Sequence, residues 1–314
     1  MFKTFKSFLP AGFKTFLRIV KTTKNWLEVT AVKLGLTSKC RAVFRNGYTF
    51  ELHKGKWTEF MSRVNLFREM PEAKIVDEKA IQFSFRGRTL MFYNGQWGVQ
   101  IVTEAFKIEP YKRFVEECDI RGRVVVDIGA NIGDTPVYFA LYGAKKVYAF
   151  EPFPGWYALA KKNISENGFD STCEIFLAGV GGAPGSFTDD STFKNLFHTE
   201  DEESQKRLFK DFDRREKIPI VTLENIVSKY NIKNAFAKID CEGFEYDIVL
   251  NAPDDVLRCF DYILIEYHYG FKDLKDKLIG AGFTVWHSEP EHTFERPTKD
   301  GRERYVGYLT ARQS

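Results

Sequence analysis

Paired cysteines and long apolar runs are both missing from this sequence of 314 residues. Its five cysteines (Cys40, Cys118, Cys173, Cys241 and Cys259) lie far apart and never form a C-x-x-C pair. That spacing favours buried free thiols in a reducing compartment over a disulfide framework. No run of 18 apolar residues occurs, and the N-terminus has no uninterrupted apolar segment of the signal-peptide type. We therefore expect an intracellular, cytoplasmic protein that does not span a membrane.

Positive charge is concentrated at the N-terminal end of the chain. Residues 1–40 contain eight lysines or arginines and one acid, Glu28, so the rest of the chain is net negative. Large apolar residues at positions 2, 5, 9, 13, 16, 17 and 20 are spaced for one face of a helix. Pro10 argues against one unbroken helix. Two interpretations stay open: residues 1–35 contact an anionic membrane surface peripherally, or the helix packs on its own domain.

Alternating patterns predict two β-ribbons after this segment. Residues 41–45 and 48–52 flank Asn46-Gly47, a dipeptide suited to a turn with two positive φ angles. Residues 81–85 and 90–93 form a second ribbon around Gly87. We therefore divide the chain into a basic amphipathic segment (1–40), a small β-rich region (41–115) and a main domain (116–314).

Apolar strands alternate with helices in the main domain. The predicted strands are 124–126, 147–150, 174–178, 235–239, 262–265, 283–286 and 305–309, and the predicted helices are 134–141, 156–167, 223–230, 245–250 and 271–279. This pattern predicts an α/β fold with a mostly parallel seven-stranded sheet. The last two strands have no helix between them, so we expect an antiparallel C-terminal edge. The charged stretch 183–218 lacks periodicity and is either a lid or binding loop or disordered.

A glycine-containing loop follows the first strand of this domain. It reads Asp127-Ile-Gly-Ala-Asn-Ile-Gly-Asp134, and the second strand ends at Glu151. The G-x-x-x-G spacing differs from the G-x-G-x-x-G of dinucleotide sites, and no phosphate-binding G-x-x-x-x-G-K-[ST] loop occurs. Two flanking carboxylates would repel a pyrophosphate but suit a cationic ligand, and Glu151 can accept hydrogen bonds from ribose hydroxyls. The pattern favours a nucleoside cofactor without phosphates, and S-adenosylmethionine, which carries an ammonium and a sulfonium, meets these requirements.

Three sequence blocks resemble the FkbM family of methyltransferases. They are Val124–Asp134, Val147–Pro154 and Lys238–Asp247, and the Lys-Ile-Asp-x-Glu-Gly-x-Glu pattern in the third makes the resemblance specific. The resemblance implies a class I Rossmann-like fold, S-adenosylmethionine as methyl donor and a hydroxyl of a sugar, polyketide or other small molecule as acceptor. It assigns Asp127, Gly129, Asn131 and Gly133 to the methionine-binding loop, Glu151 to the ribose and Phe153 to the neighbourhood of the adenine.

Four polar residues follow the fourth and fifth strands, where ligands of open α/β sheets bind. We expect Asp240 to contact the methyl end of the cofactor or the acceptor, and Glu242, Glu266 and His268 to be candidate bases or substrate ligands. Asp240 could instead cap a helix, His268 could be structural, and Glu245 is expected to be structural. Asp240, Glu266 and His268 are of types that could converge on a metal ion, but no local spacing supports one, so we assign no metal ligands.

The leading functional hypothesis is an S-adenosylmethionine-dependent methyltransferase that acts on a hydroxyl of a small molecule or glycan. A nucleic-acid methyltransferase is an alternative that the basic N-terminus favours, but the net negative body disfavours contact with phosphates. The N-P-P-Y motif of base-methylating enzymes is also absent. A non-catalytic binding module at a membrane is a third alternative, against which the intact glycine loop and Glu151 argue.

Overall fold

The computed structural model describes residues 11–76, 80–93, 98–187, 217–292 and 303–313. The chain divides into two compact units, Met1–Pro110 and Tyr111–Ser314. In this described part of the chain, no helix has both the length and the apolar character needed to cross a membrane.

The first unit combines helices with two small antiparallel sheets. Its elements in chain order are α1 (Ala11–Thr22), α2 (Trp26–Lys33), β1 (Lys39–Val43), β2 (Thr49–His53), a 3-10 turn (Lys54–Lys56), α3 (Trp57–Glu69), β3 (Lys74–Val76), β4 (Ala80–Phe85), β5 (Arg88–Tyr93), α4 (Gly98–Thr103) and a π-helical segment (Glu104–Ile108). The two predicted ribbons are present as β1–β2 and β4–β5, and β3 adds a strand beside β4. The strand patterns did not reveal α3, which buries Phe60, Val64 and Phe67 at helical spacing.

The turn between β1 and β2 differs from the expected geometry. Only Gly47 has a positive φ, of 92°, whereas Asn46 does not. The Gly47 N–H donates to the Phe44 carbonyl, and the Phe44 N–H donates to the Tyr48 carbonyl. This pattern fits a longer loop in which a single glycine takes the left-handed conformation, so one positive φ is sufficient.

Helix α1 covers Ala11–Thr22, and the predicted interruption at Pro10 lies outside the described residues. Positions 2, 5 and 9 of the apolar stripe lie outside the described residues. Of the other stripe members, Phe13 is exposed, while Phe16, Leu17 and Val20 are half-buried. The Phe16 ring lies 5.5 Å from the Trp26 ring, edge to face. Part of the stripe therefore packs within the first unit.

The second unit is built on one large sheet. Its elements are α5 (Lys112–Glu117), β6 (Val124–Ile128), α6 (Asp134–Leu141), β7 (Lys146–Glu151), α7 (Pro154–Glu166), β8 (Cys173–Leu177), β9 (Gly179–Val180), β10 (Gly185–Phe187), β11 (Ile218–Val221), α8 (Leu223–Tyr230), β12 (Ala235–Ile239), α9 (Glu245–Asn251), α10 (Asp254–Leu257), β13 (Phe260–Tyr267), α11 (Lys272–Gly280), β14 (Phe283–His287), β15 (Glu291–His292) and β16 (Tyr305–Gln313). Each of the seven predicted strands and five predicted helices corresponds to one of these elements.

The main sheet has the strand order β14-β16-β13-β12-β6-β7-β8. The strands from β13 to β8 pair in parallel, and β16 pairs antiparallel with both β13 and β14. This confirms the mostly parallel seven-stranded sheet with an antiparallel C-terminal edge. All five residues of β12 are buried, as expected for a central strand covered on both faces. The carboxyl ends of β13, β12, β6 and β7 therefore lie side by side.

Two segments differ in detail from the sequence pattern. Strand β13 continues to Tyr267, so Glu266 lies inside the strand, opposite Tyr308, and not beyond its end. The ends of the stretch 183–218 form β10 and β11, which pair with each other, and β11 also pairs with β9. The interpretation of this stretch as a lid or a disordered loop concerns residues 188–216, which lie outside the described part.

Candidate active site

The glycine loop between β6 and α6 takes left-handed conformations at three positions. Gly129, Asn131 and Gly133 have φ values of 83°, 48° and 84°. A Cβ on Gly129 would lie 1.7 Å from the carbonyl oxygen of Asp240, and one on Gly133 would lie 2.9 Å from Cα of Ala160. The glycines therefore let the loop contact the segment after β12 and helix α7, in addition to the expected approach of backbone to ligand.

A buried ion pair lies beneath this loop. Asp127 on β6 and Lys238 on β12 are opposite each other in the sheet, and both are almost fully buried. The Lys238 Nζ lies 3.3 Å from Oδ1 of Asp127 and donates to the Gly129 carbonyl at 2.8 Å. The other Asp127 oxygen accepts a 2.6 Å hydrogen bond from the Thr135 hydroxyl. Burial lowers the pKa of Lys238, but the charges of Asp127 and Asp240 outweigh burial and raise it overall.

Sequence reasoning did not assign a role to Lys238. The signal was a single lysine in the otherwise apolar run Ala-Phe-Ala-Lys-Ile of β12. Because a buried lysine is rarely found without a carboxylate partner, that lysine indicates an acid on a neighbouring strand.

Asn131 and Asp134 complete the loop. Asn131 donates its backbone N–H to Glu151 at 2.8 Å. Its Oδ1 is buried, and no described residue donates a hydrogen bond to it. Asp134 is the first residue of α6 and is 6 % exposed, so its carboxylate lies at the positive end of the helix. The loop therefore presents acceptor oxygens, which suit a ligand with an ammonium group.

Glu151, at the end of β7, is buried beside the loop. One carboxylate oxygen accepts the Asn131 N–H, and the other accepts the Phe153 N–H at 2.8 Å. A carboxylate has about four lone-pair sites, so acceptor capacity remains for two hydroxyls. Burial raises the pKa of Glu151 to about 8, although the two backbone hydrogen bonds counteract part of this effect. Phe153 is buried, precedes α7, and its ring lies 4.8 Å from that of Trp156.

A second polar cluster lies after β12 and β13. The His268 Nδ1 is 2.7 Å from Oε1 of Glu245, and the backbone N–H of His268 donates to the same oxygen. The other Glu245 oxygen accepts the Gly243 N–H at 2.8 Å. His268 and Glu245 are 3 % and 0 % exposed. Glu245 therefore does more than complement the helix dipole, the structural role expected for it: it orients an imidazole.

Glu242 links this pair to an arginine. Its Oε2 lies 3.5 Å from Nε2 of His268, and it accepts a hydrogen bond from Arg304, which sequence reasoning did not identify. The backbone of Glu242 has a positive φ of 54°, which is uncommon for a residue other than glycine. Burial lowers the pKa of His268, but the hydrogen bond and charge of Glu245, with smaller effects of Glu242, raise it to about 9.

Asp240 lies between the two clusters. Its Oδ2 is 3.5 Å from the Lys238 Nζ, and its backbone N–H donates to the Ile128 carbonyl. Helix α9 begins at Glu245, with Phe244 at the N-cap position and no side-chain cap. Asp240 is therefore not the cap of this helix.

Tyr111, just before α5, was not identified from the sequence either. It is 6 % exposed, and its ring lies within 6.4 Å of the rings of Tyr138, Phe139 and Tyr308. Burial raises the pKa of Tyr111 well above its ordinary value, and the charges of Asp240 and Glu266 raise it further. The hydroxyl therefore stays protonated near these carboxylates. Glu266 itself is half-buried on β13.

The described residues contain no group of three or more His, Cys, Asp or Glu side chains arranged to hold a metal ion.

The strand order, the glycine loop after β6 and the buried Glu151 at the end of β7 agree with the class I methyltransferase fold and the S-adenosylmethionine site that the resemblance implies. A family model, the methyltransferase FkbM domain, matches residues 127–287, about half of the chain. The chain therefore belongs to the FkbM methyltransferase family.

Individual relatives are more distant. The chain is 31% identical over 94 residues to ribosomal protein L11 methyltransferase of Carboxydothermus hydrogenoformans, a match that covers 25% of this chain and 30% of that protein. TrmK of M. capricolum, solved with S-adenosyl-homocysteine, has a TM-score of 0.37 at 12% identity over 65% of this chain and 68% of its own. Magnesium protoporphyrin IX methyltransferase of Synechocystis PCC 6803, solved with S-adenosylmethionine, has a TM-score of 0.37 at 12% identity over 68% and 79%. Family membership rests on the family model alone.

The residues present fit this cofactor. The buried acceptor Oδ1 of Asn131 and the carboxylate of Asp134 suit an ammonium group. Glu151 retains capacity for the ribose hydroxyls, and the loop contains no basic side chain of the kind that a phosphate would need. Asp127 stabilises the start of the loop through its ion pair with Lys238.

Proposed function

We propose that the enzyme transfers the methyl group to a hydroxyl oxygen of a small molecule or glycan. The observation that carries this proposal is the buried Glu245–His268 pair, with 2.7 Å between Oε1 and Nδ1, at the strand end next to Asp240. Methylation of a hydroxyl requires removal of its proton, and an imidazole oriented by a carboxylate is a common means of removing one. The enzyme class itself follows from the family; the acceptor is the proposed part.

Each strand end has its own task in this scheme. Glu151 and the glycine loop hold the nucleoside and the methionine ends of the cofactor, respectively, at β7 and β6. When bound, S-adenosylmethionine supplies an electrophilic methyl group on a sulfonium. Asp240 orients the acceptor hydroxyl beside it, and alignment of this kind can lower a barrier by about 7–11 kcal/mol. His268 then receives the hydroxyl proton at Nε2, because Nδ1 donates to Glu245.

The charge of the chain supports a small-molecule or glycan acceptor over a nucleic acid. Outside residues 1–40 the chain is net negative. The site itself is lined by carboxylates such as Asp134, Asp240 and Glu242, which would repel a phosphate backbone.

The acceptor class can be tested by labelling. The full chain would be incubated with S-adenosylmethionine carrying a radioactive methyl group and, separately, with metabolite, glycan and RNA fractions of a cell extract. Label in the metabolite or glycan fraction that survives mild alkali is expected, because ethers resist conditions that cleave methyl esters. Label confined to RNA, or released entirely by alkali, would overturn the proposal.

The residue roles have a separate test. His268→Asn and Asp240→Asn should each lower turnover by about 10²–10⁴-fold while cofactor affinity changes little. Glu245→Gln should shift the rise of turnover with pH, expected near 9 in the unaltered enzyme, to lower pH, because the carboxylate that raises the His268 pKa is gone. Glu224→Gln, on the exposed surface of α8, is the matched control. Near-normal turnover of His268→Asn would exclude His268 as the base.

A further inference from the structure

Exposed apolar side chains are concentrated near the start of the described chain. Phe13, Leu27, Leu34 and Leu36 are 45%, 67%, 67% and 75% exposed. In the much longer second unit, only Leu250, Ile279, Trp286 and Tyr305 are comparable among the described residues. We call the surface formed by Phe13, Leu27, Leu34 and Leu36 the α1–α2 surface. Isolated exposed leucines are ordinary, but four large apolar groups within 13–36 need an explanation.

The geometry of α2 separates these leucines from the core. Val29 and Val32 are buried at 0% and 1% exposure. Leu27 and Leu34 are seven residues apart, two helical turns, so they lie on one side of the helix, away from the two valines. Leu36 follows in the turn after the helix. Phe13 connects to the start of α2 through ring contacts of Phe16 with both Phe13 and Trp26.

The same segment carries unbalanced positive charge. Lys21, Lys24 and Lys39 are exposed, and none forms an ion pair with another described residue. Glu28, the single acid of residues 1–40, accepts a hydrogen bond from the Asn25 side chain. A partner of this surface therefore has to offer both negative charge and apolar material. Nucleic acid offers negative charge but gives exposed leucines little to bind, whereas an anionic lipid surface offers both.

We propose that the α1–α2 surface docks on the headgroup region of an anionic bilayer, with the leucines at the acyl boundary and the lysines at the lipid phosphates. The attachment is peripheral and is independent of the identity of the methyl acceptor. Because the lysines act through screened charge, binding weakens with salt: the Debye length falls from about 10 Å at 0.1 M to about 3 Å at 1 M ionic strength.

The test uses the full chain and co-sedimentation with vesicles. Vesicles that contain phosphatidylserine should bind the protein at low salt, and vesicles of phosphatidylcholine alone should bind it far less. Replacing Lys21, Lys24 and Lys39 together by Gln should weaken binding to the anionic vesicles on the order of 100-fold. Replacing Leu27, Leu34 and Leu36 together by Ser should weaken it by at least about tenfold. Because these side chains are exposed, both variants should keep the hydrogen-exchange protection of α3, which belongs to the same unit. That protection reports that the altered unit is folded.

Matched control variants lie in the second unit. Leu250→Ser and Ile279→Ser remove side chains that are 40% and 51% exposed and should leave vesicle binding as it is. Failure of the unaltered chain to bind anionic vesicles at low salt would overturn the proposal. So would binding that the leucine variant retains in full, or RNA binding that competes with vesicles and ignores the leucines. Concentration-dependent self-association that the leucine variant abolishes, without vesicle binding, would assign the surface to a second copy instead.

Discussion

Removing the positive charge of Lys238 should destabilise the second unit strongly. In Lys238→Met the side chain keeps its length and apolar volume but loses the ammonium group. Asp127, which is 0 % exposed, would then be a buried carboxylate whose remaining described hydrogen bond comes from Thr135. Breaking a buried ion pair by removing one partner typically costs about 3–5 kcal/mol. The carbonyl of Gly129 also loses its 2.8 Å hydrogen bond, so the glycine loop should lose order as well.

A second substitution separates charge from packing. Asp127→Asn in the same chain removes the unpaired charge, so about 2 kcal/mol or more of the loss should return. The effect also has a defined dependence on pH. Burial already raises the pKa of Asp127 in the folded chain, with Lys238 opposing the shift, so loss of Lys238 should raise this pKa further above its unfolded value of about 3.9. Stability is then retained at low pH and lost as pH rises through the folded-state pKa, so the deficit should be smaller at about pH 5 than at about pH 8.

Pulse-labelled hydrogen exchange along a urea titration measures the unfolding of each unit separately. Peptides from β6 and β12 should shift to lower urea in Lys238→Met and move back in the double variant. Peptides from α3, in the first unit, are the internal control and should keep their midpoint. If Lys238→Met costs less than about 1 kcal/mol, or if the double variant is no more stable than the single one, Lys238 does not neutralise a buried charge at Asp127.

Three further predictions follow from the site. Glu151→Ala should weaken S-adenosylmethionine binding by about 2 kcal/mol or more with the fold intact. In the unaltered chain the affinity, measured by calorimetry, should increase as pH rises through about 8, because the carboxyl of Glu151 then ionises. A correctly folded variant that binds with the same affinity as the unaltered chain would remove the ribose assignment. The pKa of His268, about 9, exceeds its ordinary value of 6.5, so the stability that this histidine contributes is complete below about pH 6.5 and is lost as pH rises through about 9. Between these two pH values the urea midpoint should therefore fall less in His268→Asn than in the unaltered chain, and an equal fall in both proteins would contradict the pairing of His268 with Glu245. Gly129→Ala should destabilise the second unit by at least about 2 kcal/mol because the added Cβ would meet the Asp240 carbonyl. Gly168→Ala, at a position with φ of 73° and no neighbour within 4 Å, should cost only about 1–2 kcal/mol. Equal urea midpoints for the two variants would refute the packing argument.

Local periodicity was sufficient to predict the main domain. Apolar runs of strand length report burial on both faces, so β12, buried at all five positions, was predictable without any knowledge of its neighbours. The glycine loop and Glu151 were predictable for a related reason. A short loop between a strand and a helix is specified by adjacent residues, and the ligand class follows from the charges that those residues carry. The same reasoning explains why α3, whose pattern mixes polar and apolar residues, was missed.

Only the tertiary structure decided which side chains meet. Lys238 and Asp127 are far apart in sequence and become partners because β12 lies beside β6, with these two residues in register. Glu245 and His268 meet because β13 lies on the other side of β12, and Gly129 is constrained by the backbone of Asp240 for the same reason. Hydrophobic periodicity records how deeply a strand is buried but not which strand lies next to it. The strand order and register that bring these pairs together arise from the packing of the whole sheet.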